Sequence, residues 1–230
     1  MTATNSNRAK ISGNARDEII ASIRRNLAAS KPFDAIRHSH RENSGANIRG
    51  FSELVDASEL IELFCTNLRS VGGVCTLVAD EKEAAQKVSE TIKTLESKCI
   101  AISDSELVAS LIHQSSEVEF VKEASAAELF ESDLGITSAQ WAIAETGTLV
   151  LESEKESHRL TSLVPSKHLC LVKASSIRET LGEILELTSK DLSRTVTFIT
   201  GASRTSDIEL TLAIGVHGPK ELHVIVLKNQ

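Results

Sequence analysis

Between residues 56 and 128 the chain repeats one short pattern. An apolar run of five or six residues is followed by a capping residue and then by a helical stripe. VCTLVA (74–79) leads into Asp80 and Glu83, KCIAI (98–102) into Ser103 and Glu106, and EVEFV (117–121) into Ser125 and Glu128. Each pair has the spacing of a capping box, in which a side chain and a carboxylate satisfy each other's backbone N–H groups at a helix start. Asp56 and Glu59 open an earlier helix, with Leu60, Ile61, Phe64, Leu68 and Val71 as its buried stripe and Gly72 and Gly73 at its end. Ala84, Val88, Ile92 and Leu95 form the inner face of the next one. Strands that run directly into capped helices return to the sheet in the same direction. The pattern therefore predicts an α/β fold, a mainly parallel sheet flanked by helices on both faces.

Downstream of residue 135 the rhythm changes. GITSAQWAIAETGTLVLES holds two β-rich runs separated by Glu145, Thr146 and Gly147, which reads as a hairpin with Gly147 in a backbone conformation other residues avoid. HLCLVK (168–173) and TVTFIT (195–200) are strands, the second buried. Ser176 and Glu179 are expected to cap a helix whose inward residues are Ile177, Leu181, Ile184 and Leu185. LHVIVL (222–227) is a buried closing strand. At the other end, residues 1–13 carry no pattern. Ile19, Ile20, Ile23 and Leu27 line one face of a helix starting near Asn14, and residues 30–50 read as a polar linker. The expected organisation is residues 1–50 as N-terminal helix and linker and 51–230 as the main domain.

Charge and composition exclude several function classes. Residues 1–50 hold nine Lys or Arg against four Asp or Glu, whereas the rest holds sixteen against twenty-eight. An acidic main domain with 3% aromatic residues and no Tyr offers neither a phosphate-tracking surface nor base-stacking platforms, so nucleic acid is not an expected partner. No apolar run approaches the ~20 residues of a membrane helix. The polar first sixteen residues lack a signal-peptide core, which makes the cytoplasm the expected address. The four cysteines (Cys65, Cys75, Cys99, Cys170) form no CxxC pair and read as reduced, buried thiols. The seven histidines are scattered, and no metal site is signalled.

Polar residues that a core does not need cluster in three segments. The last is the most informative: after Thr200 comes Gly201, Ala202, Ser203, Arg204 and Thr205, then an expected helix start near Ser206 with Asp207 in its first turn. A strand, a loop of small residues and a helix N-terminus collect anions, and Arg204 adds a fork that matches carboxylate or phosphate. Such loops are expected at the carboxyl ends of strands. The alternative is that Arg204 pairs structurally with Asp207 or Glu209. His217 lies near Gly215 and Gly218, where backbone can approach a ligand closely. The first segment contributes Thr137, Glu145, Thr146, Gly147 and Thr148, and the middle one Arg159 and Ser162. Glu145 at a reversal fits a general base or nucleophile, or a turn residue whose oxygens accept backbone N–H groups. His168 precedes a buried strand and is expected to donate to a neighbouring carbonyl; Trp141 reads as core.

The same residues carry a resemblance. ARDEIIASIRRNL, LIELFCTNLRSVGG, GITSAQWAIAETGTLVL, RLTSLVPSKHLCLV and TFITGASRTSDIELTLAIGVHGP resemble, in order, blocks of the lactate utilization protein C family, whose main domain is the LUD domain. The resemblance spans residues 15–227. It implies a fold like the NagB/RpiA/CoA-transferase superfamily. It also implies a place in a bacterial system that oxidises L-lactate to pyruvate, with two iron–sulfur proteins as partners that carry the clusters. No cofactor is then expected on this chain, only a small carboxylate or phosphate-bearing ligand. Two alternatives stand beside this expectation: a free-standing enzyme acting on a phosphosugar or acyl-CoA through Glu145, and a scaffold that binds no ligand.

Overall fold

The computed structural model describes residues 56–112, 118–153, 159–189, 193–205, 213–214 and 218–228. It also describes helical positions 18, 20–22, 24 and 25. The chain divides into two compact units, 1–53 and 54–230. In the first, the described positions agree with the helix expected from Asn14; the linker at 30–50 lies outside the described residues.

The second unit is built on six strands: β1 (Gly73–Val78), β2 (Cys99–Ile102), β3 (Glu119–Lys122), β4 (Leu134–Ala139), β7 (Lys167–Lys173) and β12 (Glu221–Leu227). All are parallel, in the order β1-β12-β7-β4-β2-β3. The closing strand is thus central, held between β1 and β7. A second sheet has the order β8-β5-β6-β9, from Ile177–Arg178, Trp141–Ile143, Thr148–Glu152 and Val196–Thr200. The helices are α1 (Ala57–Ser70), α2 (Glu81–Thr94), α3 (Glu106–Ile112), α4 (Ala126–Glu131) and α5 (Leu181–Thr188).

Alternation along the central strands sorts the core into two layers. Ile100, Ile102, Leu134, Ile136, Leu169, Leu171, Ile225 and Leu227 face α2 and α3. On the opposite face, Ala139, Cys170, Val172, Val224 and Val226 meet Phe64, Cys65 and Leu68 of α1 and Ala142, Leu149 and Leu151 of the second sheet. Helices thus cover both faces, as expected, and the second face carries a strand layer besides. One face is covered by α1 together with four strands, because the chain after β4 forms a β5–β6 hairpin rather than a helix.

Local capping follows the sequence in part. Asp80 accepts the Glu83 N–H at 2.9 Å, and Ser125 with Glu128 forms a complete capping box. Asp56 instead accepts the Ser58 hydroxyl at 2.7 Å and caps no backbone group. Ser103 does not cap α3, which starts at Glu106; its N–H is held in the sheet by the Ile136 carbonyl, and its buried hydroxyl has no partner among the described residues. The helix expected from Ser176 starts four residues later. Residues 177 and 178 are drawn into β8 beside β5, and Thr180 caps α5 through the Glu183 N–H. Of its expected inward residues only Ile184 is buried on α5; Leu181 and Leu185 are exposed. Strand β9 is half-buried rather than buried, with Phe198 exposed.

The four-thiol expectation is also corrected: Cys65 and Cys75 are joined as a disulfide, leaving Cys99 and Cys170 as thiols. The turn at Gly72 and Gly73 folds the buried face of α1 back onto β1 and brings the two Cα atoms to 5.5 Å, inside the range a disulfide spans.

Candidate functional site

A cleft of about 580 Å³ opens where the amino ends of β7 and β12 meet the end of β9. Ser162 and Leu163 line it from the turn before β7, and His168 and Leu222 from the strand starts. Residues 198–204 come from β9 and its loop, and Gly218 and Pro219 from the segment before β12. Two of the three polar segments therefore converge directly. The position differs from the expectation. The loop after Thr200 leaves a strand of the second sheet, so it reaches the amino rather than the carboxyl ends of the large sheet.

Backbone contacts fix this mouth. The Ser203 N–H donates to the Pro219 carbonyl at 2.8 Å, and the Lys220 N–H to the Ser166 carbonyl at 2.7 Å. Arg204 and Thr205 form β10, antiparallel to β11 (Ala213–Ile214). The Arg204 guanidinium lies over the end of α1: a side chain on Gly72 would put its Cβ 2.8 Å from Arg204 Nη2. A cation beside helix C-terminal carbonyls is favoured by about 0.3–1 kcal/mol. Arg204 is also one of the residues lining the cleft. Asp207, the helix start expected at 206, His217 and His158 lie outside the described residues.

The middle segment reaches the cleft through a glycine. Arg159–Ser162 is a single 3-10 turn lying across β4, where a Cβ on Gly135 would stand 1.9 Å from the Thr161 carbonyl oxygen. Only a residue without a side chain lets the turn sit so low. Ser162 donates to the Arg159 carbonyl at 2.9 Å and lines the cleft. Arg159 and Thr137 line a smaller neighbouring cavity with Glu152 and Ser162.

His168 was expected to donate to a carbonyl; the structure gives it a different partner. It is fully buried, and its Nε2 lies 2.8 Å from Thr137 Oγ1. The Thr137 hydroxyl donates to Cys170 Sγ at 3.6 Å, and the Cys170 thiol points to the Leu171 carbonyl at 3.7 Å. With those protons committed, the Thr137 oxygen accepts from Nε2–H, and Nδ1 is left as an acceptor. Nδ1 is buried and has no partner among the described residues. Burial pushes the imidazole down to about 3, so it is neutral at pH 7. A buried polar atom without a partner is uncommon, and a water, an ion or a ligand group would satisfy it. The signal available in sequence was two polar residues, Thr137 and His168, at inward positions of adjacent strands.

The hairpin segment is placed differently. Glu145 is exposed, and its Oε1 accepts the Leu181 N–H at 3.0 Å, capping α5; it does not line the cleft. Gly147 has φ +65°, and a Cβ there would meet Leu68 N at 2.3 Å, so the tip rests directly on α1. A hydroxyl ladder leads from it towards the cleft: Thr146 to Thr148 at 2.7 Å, and Thr148 to Thr200, a lining residue, at 2.7 Å. Glu152, which the sequence reading did not single out, is buried and accepts from Trp141 Nε1 at 2.9 Å and Ser193 Oγ at 3.1 Å. Trp141 is half-buried rather than core, with the Arg178 guanidinium 5.1 Å from its ring centre.

Comparison with known proteins matches the LUD domain to residues 61–227. The chain is 41% identical over 104 residues to lactate utilization protein C of Deinococcus radiodurans, covering 44% of this chain and 49% of that one. It is 33% identical over 106 residues to lactate utilization protein C of Bacillus subtilis, covering 44% of each. The chain thus spans less than half the length of these curated relatives. A crystal structure of a DUF162 family protein from Deinococcus radiodurans superposes with a TM-score of 0.61 at 22% identity, covering 75% of this chain and 99% of that one. That likeness concerns the fold. Among the described residues no helix is long and apolar enough to cross a membrane.

Proposed function

The chain belongs to the LUD domain family, and from that premise we propose that it is a cluster-free component of a bacterial L-lactate utilization system. In this reading it acts in the cytoplasm beside two iron–sulfur proteins that carry the clusters, and its cleft holds a small carboxylate. Relatives named for lactate utilization support the role. One observation carries the ligand: Arg204 and His168, whose Nδ1 has no partner among the described residues, both line the same cleft.

An α-hydroxy acid suits that pair. Its carboxylate matches the Arg204 fork, and its hydroxyl is a donor for Nδ1. Ser203 adds a polar group at the mouth, while Leu163, Phe198 and Leu222 offer apolar wall. A neutral imidazole with so low a proton affinity orients the hydroxyl and does not hold its proton, which fits a binding role with oxidation carried by partners. The reading of Glu145 as nucleophile draws no support from the geometry, because its carboxylate caps α5 away from the lining residues.

The experiment is affinity capture from cells grown on L-lactate, with the tagged full chain as bait. Recovery of two iron–sulfur proteins, together with loss of growth on L-lactate when the gene is deleted, is the expected result. Normal growth on L-lactate in the deletion strain would overturn the proposal.

A further inference from the structure

A second crevice, of about 550 Å³, lies at the opposite end of the large sheet, at the carboxyl ends of its strands. Asp104 and Ser105 line it from the loop after β2, Glu106 from the first residue of α3, Ser138 and Gln140 from the end of β4, and Lys173 from the end of β7. His168 and Lys173 are five residues apart on β7, about 17 Å at strand rise. Their side chains point to opposite faces, so this crevice is separate from the cleft.

Topology explains why it exists. From β2 the chain runs through α3 to β3 on one side, and from β4 it runs through the second sheet to β7 on the other. Adjacent parallel strands whose connections leave in opposite directions open a crevice at their carboxyl ends. That switch point is where open α/β sheets bind ligands. Its walls here are furnished for binding. Ser105 and Ser138 are 8% and 7% exposed, and their hydroxyls meet at 2.8 Å across the switch point. Gln140 uses its Oε1 on the Glu152 N–H at 2.7 Å, which directs its amide oxygen to the backbone and leaves its NH2 group as the donor. Asp104 and Glu106 supply carboxylates, and the exposed Lys173 an ammonium.

Among the described lining residues, two carboxylates stand against one ammonium, a balance that disfavours a polyanion. Paired carboxylate and hydroxyl acceptors favour a ligand rich in hydroxyl donors, and one ammonium accommodates a single anionic group. We infer that the crevice between β2, β4 and β7 is a second ligand site, taking a polyol with a vicinal diol and no more than one negative charge. Sugar acids and nucleosides both present that chemistry.

The test is calorimetric titration of the full chain with D-gluconate, adenosine and ATP. The site predicts binding of gluconate or adenosine, weakened at least tenfold by Lys173→Ala or by Ser105→Ala and unchanged by Arg204→Ala. Lys173 is exposed, so its replacement leaves the fold intact. No binding of either polyol at about 10 mM, a Kd weaker than about −2.7 kcal/mol of binding free energy, overturns the inference. So does binding unchanged in both crevice variants, or ATP as the tightest of the three. Because Arg204→Ala separates the two sites, failure here leaves the lactate reading of the cleft standing, and failure there leaves this one.

Discussion

Replacing Gly135 by Ala tests whether the turn that carries Arg159 and Ser162 depends on the absence of one methyl group. The new Cβ would stand 1.9 Å from the Thr161 carbonyl oxygen and 3.0 Å from its carbon. An ordinary Cβ contact is 3.4–4 Å, so the 3-10 turn would have to rise by more than about 1 Å against a buried strand. Both neighbours are backbone, and no side-chain rotamer relieves the clash. Overpacking of this kind is destabilising by about 1–3 kcal/mol. The severity of the overlap places Gly135→Ala near the top, at about 3 kcal/mol. For a unit of this size that lowers the melting temperature by about 6–12 °C. Thermal and urea unfolding of wild type and variant measure it directly. The raised turn should also carry Ser162 off the cleft wall, so ligand binding should weaken at temperatures where the variant is still folded. A shift below about 2 °C would show that the turn yields freely and would refute the packing argument.

Further outcomes follow from individual contacts. His168 is held neutral by burial, well below its ordinary 6.5. The unfolded chain therefore takes up the proton first as pH falls. The stability His168 contributes is complete above about pH 6.5 and is lost progressively towards pH 3, by up to about 2 kcal/mol between pH 7 and pH 5. Urea midpoints at those two values should separate in wild type and draw together in His168→Gln. Glu145→Ala should destabilise by about 1 kcal/mol through the lost α5 cap and leave cleft binding unchanged; a loss of binding without loss of stability would restore Glu145 to the site. Thr148→Val interrupts the ladder to Thr200 and should lower stability by about 1 kcal/mol in urea unfolding, since it removes the hydrogen bonds of a buried hydroxyl while its exposed partners Thr146 and Thr200 turn to water.

Local signals were legible where no competitor was present. Asp80 and Ser125 had no rival partner, and both cap as their spacing implies. Asp56 had Ser58 two residues away, and a hydroxyl that close captures the carboxylate first. Ser176 and Thr180 both stand three residues before a glutamate. Pairing of Ile177 with Ala142, 35 residues upstream, consumes the first option, and no local pattern encodes that pairing. The parallel sheet was readable because its strands lead directly into caps; the second sheet was not, since only contact between distant strands assembles it. Arg204, Ser203 and Ser162 were visible as polar breaks in apolar segments, and they do line one cleft. The role of His168 was not visible. Its environment is set by Thr137 and Cys170, which only the β4–β7 register brings together.

The ligand reading of the cleft stands or falls on calorimetric titration of wild type and Arg204→Ala with L-lactate and pyruvate. A charge-assisted fork is worth about 1.5–3 kcal/mol, so L-lactate should bind the wild type about 10–150-fold more tightly than the variant. Pyruvate has no hydroxyl to donate to Nδ1 and should bind more weakly than L-lactate. Equal affinity of wild type and Arg204→Ala for L-lactate, or no heat of binding from L-lactate at about 10 mM, would contradict the assignment.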